Sequence, residues 1–253
     1  AFIVDKAVQY NSSLCRWKPS GENLVDTFGR QAFPMVWDFS ESNILGGASG
    51  DFGALLYWVI EMIEMTSTSI GDRGGTVERA SATTIPLPDN MSNLFVTDPP
   101  YYYSVQYAGL SDFFYVWLKR ALGGGHPELF HARLTPKDEE IVVSSPTQAK
   151  ASDGKNNLFY ESHMTTAFSD GRRTLCHNGC AVVVFAHMQT VAWESFVQGL
   201  IRAGWVITGS WPIDTEMPTR ILARRQSVLA SSIHLVCRPR QNTDSIGEWR
   251  DVL

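Results

Sequence analysis

From residue 93 onward, short apolar runs alternate with amphipathic stretches, and no other feature of the sequence narrows the choice of fold so far. The clearest run is Ala181-Val182-Val183-Val184-Phe185-Ala186, an unbroken apolar strand of the kind buried in a parallel sheet covered on both faces. Further strands are expected over residues 93–97, 205–210 and 232–237, with helices over 111–122, 159–175 and 192–203. Ser111 suits the first helix as an N-cap, the glycines at 123–125 end it, and Gly204 ends the last. This alternation predicts an α/β fold, a doubly wound Rossmann-like sheet with helices on both faces.

Residues 1–75 follow another pattern and read as a helical, loop-rich segment. Residues 54–63 form a strong, largely buried helix, 18–53 are rich in proline and glycine, and 66–75 read as a polar linker. The boundary therefore falls near residue 75, with 76–253 as the α/β domain. A 253-residue chain with 44% hydrophobic and 19% charged residues packs a core rather than staying disordered. It lacks an initiator Met and reads as cut from something longer.

The net charge of −5 gives no support to a nucleic-acid partner, although a local basic patch is compatible with it. The four cysteines do not form a disulfide framework, so a reducing cytoplasm is the simplest location. Cys176-His177-x-x-Cys180 has no second ligand pair, and no metal is expected. No apolar run approaches the roughly 18 residues that span a membrane.

The strand over 93–97 runs directly into Asp98-Pro99-Pro100-Tyr101. Loops at the carboxyl ends of strands in open α/β sheets line the ligand crevice. The amino group of a nucleobase has its lone pair delocalised into the ring. Acceptors at both N–H groups draw the nitrogen toward tetrahedral geometry and free that pair. Asp98 offers a carboxylate, Pro99 a carbonyl, and Tyr101 a ring for a base flipped out of its stack. Two prolines hold the backbone at low entropic cost. The same letters also make a good turn.

The stretch TDPPYYYSVQYAGLSDFFYVWLKR (97–120) resembles the motif region of a bacterial and archaeal family of adenine-specific DNA methylases, whose longer members carry an additional N-terminal domain. Residues 10–17, 28–39, 182–187 with Trp193 and Glu194, 209–217 and 229–240 resemble the same family. The resemblance implies a methyltransferase sheet, S-adenosylmethionine as methyl donor and a base amine as acceptor, most simply N6 of adenine in DNA. It assigns Asp98, Pro99, Pro100 and Tyr101 as the catalytic loop. Residues 80–88 resemble the stretch that meets the donor's adenine, making Ser81 and Ala82, with Asp98, candidate cofactor contacts; relatives usually carry an acid where Ser81 stands.

The glycine-rich donor loop that the family places after its first strand is not found. Residues 45–53 are glycine-rich, but no strand leads into them, and they read as a flexible loop opening the 54–63 helix. The chain therefore reads as the C-terminal portion of a larger enzyme or a truncated relative. The sheet is then incomplete, and a partner subunit or upstream domain completes the donor site. Candidate substrate contacts are Tyr102, Tyr103 and Tyr107, with core packing as the alternative for each, and Arg220 and Arg224 for phosphates. His187 reads as a satisfied polar residue, Asp112 as an acid favoured by its helix dipole, and Phe113, Phe114, Tyr115 and Trp117 as core. RNA guanine-N2 methylation and an inactive nucleic-acid- or partner-binding module remain alternatives.

Overall fold

The computed structural model describes residues 1–25, 27–29, 35–70, 74–102, 105–143, 154–187, 189–214 and 231–241. The chain divides into two compact units. One comprises Ala1–Arg79 and Gln106–Glu140, the other Ala80–Val105 and Ile141–Leu253. The units are discontinuous in sequence: residues 106–140 belong with the first rather than with the α/β part.

In the first unit, helix α1 (Phe2–Asn11) is followed by a small antiparallel hairpin of β1 (Arg16–Lys18) and β2 (Asn23–Val25). The sequence reading missed this hairpin, whose turn places Glu22 at a φ of 48°. Thr27 closes the segment onto α1, donating its hydroxyl to Val8 O at 2.6 Å. Helix α2 spans Phe52–Ile70 and starts at Asp51, whose carboxylate accepts the Ala54 N–H at 2.8 Å. It extends into the expected linker as far as Ile70, and Thr66, Ser67, Thr68 and Ser69 each return a hydroxyl to the carbonyl four residues back instead of bonding outside the helix.

The expected burial of α2 is corrected. Leu55 is buried, but Tyr57, Trp58, Met62 and Ile63 are exposed. Apolar side chains on every side of a helix cannot all meet one neighbour, here α1. Helix α3 (Tyr107–Leu122) begins one turn earlier than expected. Ser111 lies inside it, bonding Tyr107 O at 2.8 Å, so it is not the N-cap. Phe113 and Phe114 pack on Phe28, with ring centroids 5.2 and 5.0 Å away. A short α4 (Pro127–Phe130) follows.

The second unit carries a four-stranded sheet in the order β3-β4-β6-β5, from β3 (Ser92–Thr97), β4 (Leu175–Phe185), β5 (Trp205–Asp214) and β6 (Ser231–Pro239). The α/β class is as expected, but the sheet is mixed. β3 and β4 are parallel, whereas β6 runs antiparallel to both β4 and β5. Helices α5 (Asn157–Thr174) and α6 (Thr190–Arg202) pack on each other and on one face. Asn156 caps α5 by accepting the Phe159 N–H. Gly204, at a φ of 81°, follows α6 in the left-handed conformation that glycine tolerates.

The core joins Tyr160, Met164 and Phe168 of α5, Phe196 and Leu200 of α6, and the inward residues Ala181, Val183 and Phe185 of β4. Phe185 and Phe196 stack with centroids 4.0 Å apart. The opposite face carries Val182 and Val184, both half-buried, beside the 55% exposed Leu94 and the 60% exposed Val96. Among the described residues, no helix of this unit covers that face. Helices on both faces, as the sequence suggested, are therefore not seen there. None of the described helices is long and apolar enough to cross a membrane.

Candidate active site at the tip of the first sheet strand

Thr97 is the last residue of β3 in the parallel ladder, paired with Val183. Asp98 follows at once, with its side chain exposed at the carboxyl end of the strand. No hydrogen-bond donor among the described residues reaches its carboxylate. The same holds for the carbonyl of Pro99, a residue that is itself buried.

The next carbonyl is treated differently. Pro100 O accepts the Tyr102 N–H at 3.0 Å and the Tyr160 hydroxyl at 2.9 Å. Tyr102 O in turn accepts the Val143 N–H at 3.1 Å. The loop is thus tied down just after the two acceptors and open at them. Tyr101 is half-buried and meets Phe185 edge-on, with centroids 5.5 Å apart.

The expected substrate contacts divide. Tyr102 is only 3% exposed and packs edge-on against Tyr160 at 5.0 Å and His187 at 5.9 Å. Its ring belongs to the core, so the packing alternative holds and it does not face a base. It adopts a φ of 54°, a left-handed backbone unusual for a tyrosine. Tyr107 opens α3 in the other unit, where its side chain is exposed. Tyr103, Arg220 and Arg224 lie outside the described residues.

Ser81 and Ala82 are both exposed. Ser81 spends its hydroxyl on Thr83, at 2.8 Å to the side-chain oxygen. Residues 45–53 open α2 from a loop, with Gly47 and Gly50 at positive φ and no strand over the described residues 35–44 that lead into them.

The segment leading into β3 is instead organised by a residue set that the sequence reading missed. Arg173 donates to Ile85 O, Leu87 O and the Asp89 carboxylate. Asp170 accepts the Ile85 N–H and pairs with Arg173 at 2.7 Å. The hydrogen bond from Arg173 holds the Asp170 carboxyl below the usual aspartate range. The i, i+3 spacing of Asp170 and Arg173 was legible, but not the segment that they grip.

His187 stands at the end of β4, buried. Burial lowers its pKa, and its Nδ1 accepts the Gln189 N–H at 3.0 Å. Its backbone carbonyl accepts the Trp193 indole N–H at 2.8 Å. It is a satisfied structural residue, as expected. Asp112 serves a loop rather than the helix dipole: its carboxylate takes the Thr135 N–H, the Thr135 hydroxyl and Lys137. Burial opposes ionisation of that carboxyl, but the bonds to Lys137 and Thr135 prevail and lower its pKa. Among the described residues, no cluster of histidine, cysteine or acid side chains is arranged to hold a metal ion.

No family model matches this sequence, and no curated protein matches it. A solved S-adenosylmethionine-dependent methyltransferase from Leishmania major aligns at a TM-score of 0.33 and 12% identity, over 70% of this chain and 51% of its own. A candidate DNA modification methylase from Thermus thermophilus aligns at 0.34 and 13%, over 68% and 57% respectively. The chain thus spans little more than half the length of either protein. Likenesses this loose decide neither fold nor activity.

Proposed function

We propose that this chain carries the acceptor-binding part of an S-adenosylmethionine-dependent methyltransferase acting on a nucleobase amine, N6 of adenine in DNA. The observation that carries the reading is the division of labour in one loop. The Asp98 carboxylate and the Pro99 carbonyl have no donors among the described residues, while the next carbonyl, of Pro100, takes two. Successive acceptors at a strand tip match the two hydrogens of an exocyclic amine. Asp98 accepts one N–H and Pro99 O the other, which localises the lone pair on nitrogen. Tyr101, half-buried against Phe185, offers the remainder of its ring to a base taken out of its stack.

S-adenosylmethionine supplies the methyl group in such chemistry. Ser81 and Ala82 are exposed here, which supports a reading in which a partner subunit or another part of a larger enzyme contributes to donor binding. That observation also favours a second reading, in which the chain is a base-binding module without activity of its own. The same loop serves either one.

The test separates the base amine from the rest of the nucleic acid. A fluorescein-labelled single-stranded DNA with one adenine among thymines is compared with the same strand bearing N6,N6-dimethyladenine. The latter has no N–H to offer. Tighter binding of the adenine strand by the isolated chain is expected. Equal binding of the two strands would remove the basis of the reading, and stronger binding of a guanine-bearing RNA would redirect it to guanine N2.

A further inference from the structure

The carbonyl that the proposed chemistry leaves out is the best anchored in the loop. Tyr160 is fully buried in α5, yet its hydroxyl reaches across to Pro100 O at 2.9 Å. The Tyr102 N–H meets the same oxygen at 3.0 Å, and Val143 N–H holds Tyr102 O. The Tyr102 ring is wedged edge-on between Tyr160 and His187. Its left-handed backbone, at a φ of 54°, is unfavourable for a tyrosine and persists only where the surroundings hold it.

A chain passing through two prolines has few torsions left. The anchored Pro100 carbonyl and the left-handed turn at Tyr102 restrain the backbone that carries the two acceptors. Asp98 is exposed at the strand tip, and neither its carboxylate nor the Pro99 carbonyl takes a donor among the described residues.

We infer that Tyr160 is a positioning residue for base-amine recognition: its buried hydroxyl pins Pro100 O, and through it sets the direction of the two acceptors at Pro99 and Asp98. The inference rests on the proposed function, because it concerns the same loop. It adds a residue on another element, sixty positions from Pro100, that touches neither base nor donor. A tyrosine serving only the core would need its ring alone, and phenylalanine would replace it without loss of recognition.

The experiment uses the full chain, the Tyr160→Phe variant and the two labelled strands bearing adenine or N6,N6-dimethyladenine. The quantity read is the ratio of the two affinities. Phenylalanine keeps the ring, so the thermal midpoint stays close to that of the unaltered chain. The preference for adenine falls about tenfold, the change that corresponds to one lost hydrogen bond. Binding of the dimethylated strand stays as it was. A merely structural role would weaken both strands alike and leave the ratio unmoved.

A ratio preserved within about twofold would overturn the positioning role and leave the base-amine reading standing. No preference in the unaltered chain would sink that reading and the inference with it. Should the variant fail to fold, hydrogen exchange of the Tyr102 amide in the unaltered chain decides. Protection comparable to the β4 amides supports an anchored loop, and exchange as fast as in a free peptide overturns it.

Discussion

At the scale of single residues, exposure separates chemistry from packing. Asp98 is exposed and has no partner among the described residues, so Asp98→Ala is expected to change stability by less than about 0.5 kcal/mol. The same substitution should abolish the preference for an adenine strand over its dimethylated counterpart. Unchanged urea unfolding with equal binding of the two strands is the expected pair of results. A retained preference would remove Asp98 from the site. His187 gives a residue-level dependence on pH. Its folded-state pKa is depressed by burial, so the unfolded chain takes up its proton first on acidification. The contribution of neutral His187 is present above the unfolded value of about 6.5 and is lost as pH falls through it. Urea unfolding between pH 7.5 and 5.5 should show a steeper loss for the unaltered chain than for His187→Gln. Equal slopes would mean that the imidazole is not desolvated.

At the scale of elements, the segment entering β3 depends on a clamp. Asp170→Ala leaves the Ile85 N–H without its acceptor and Arg173 without one of its two carboxylate partners, at a cost of about 1–3 kcal/mol. Limited proteolysis should then cut within residues 80–90 before any other described part of the second unit. Resistance equal to that of the unaltered chain would show that the segment is held elsewhere. Acid should loosen the same segment, because a lowered carboxyl pKa gives stability above the unfolded value of about 4 that is lost as pH falls through the folded one. The strands and helices themselves were largely legible. Residues 93–97, 111–122 and 181–185 all fall in the expected element types, because periodicity reports local geometry. The end of α2 was not legible, since four consecutive Thr and Ser residues read as a linker until their hydroxyls are seen to return to the helix carbonyls. Nor was the β1–β2 hairpin, whose strands have three residues each and are too short for an alternation to register.

At the scale of the whole molecule, composition cannot tell which face of a strand is covered. Val182 and Val184 are as apolar as Ala181 and Val183, so β4 reads as buried on both sides. The structure covers only one of them with the helices of its unit, and it runs β6 antiparallel within a sheet expected to be parallel. Strand direction leaves no mark on a run of β-branched residues. The loop was legible because its letters and its place at a strand end coincide; its anchoring by Tyr160 was not, since the contact spans sixty positions. The same limits bear on the donor. Small-molecule sites bury most of their ligand's surface, roughly 70–90%, inside a concave wall. Ser81 and Ala82 instead lie exposed on one segment, and the glycines of 45–53 precede a helix in the other unit. Calorimetric titration of this chain with S-adenosylmethionine should therefore give weak heat or none, even where the adenine strand binds. A dissociation constant below about 10 µM would overturn this, since affinity of that order requires a formed pocket. Binding of the adenine strand without the donor would mean that the two halves of the proposed reaction are held by separate parts, with this chain presenting the amine.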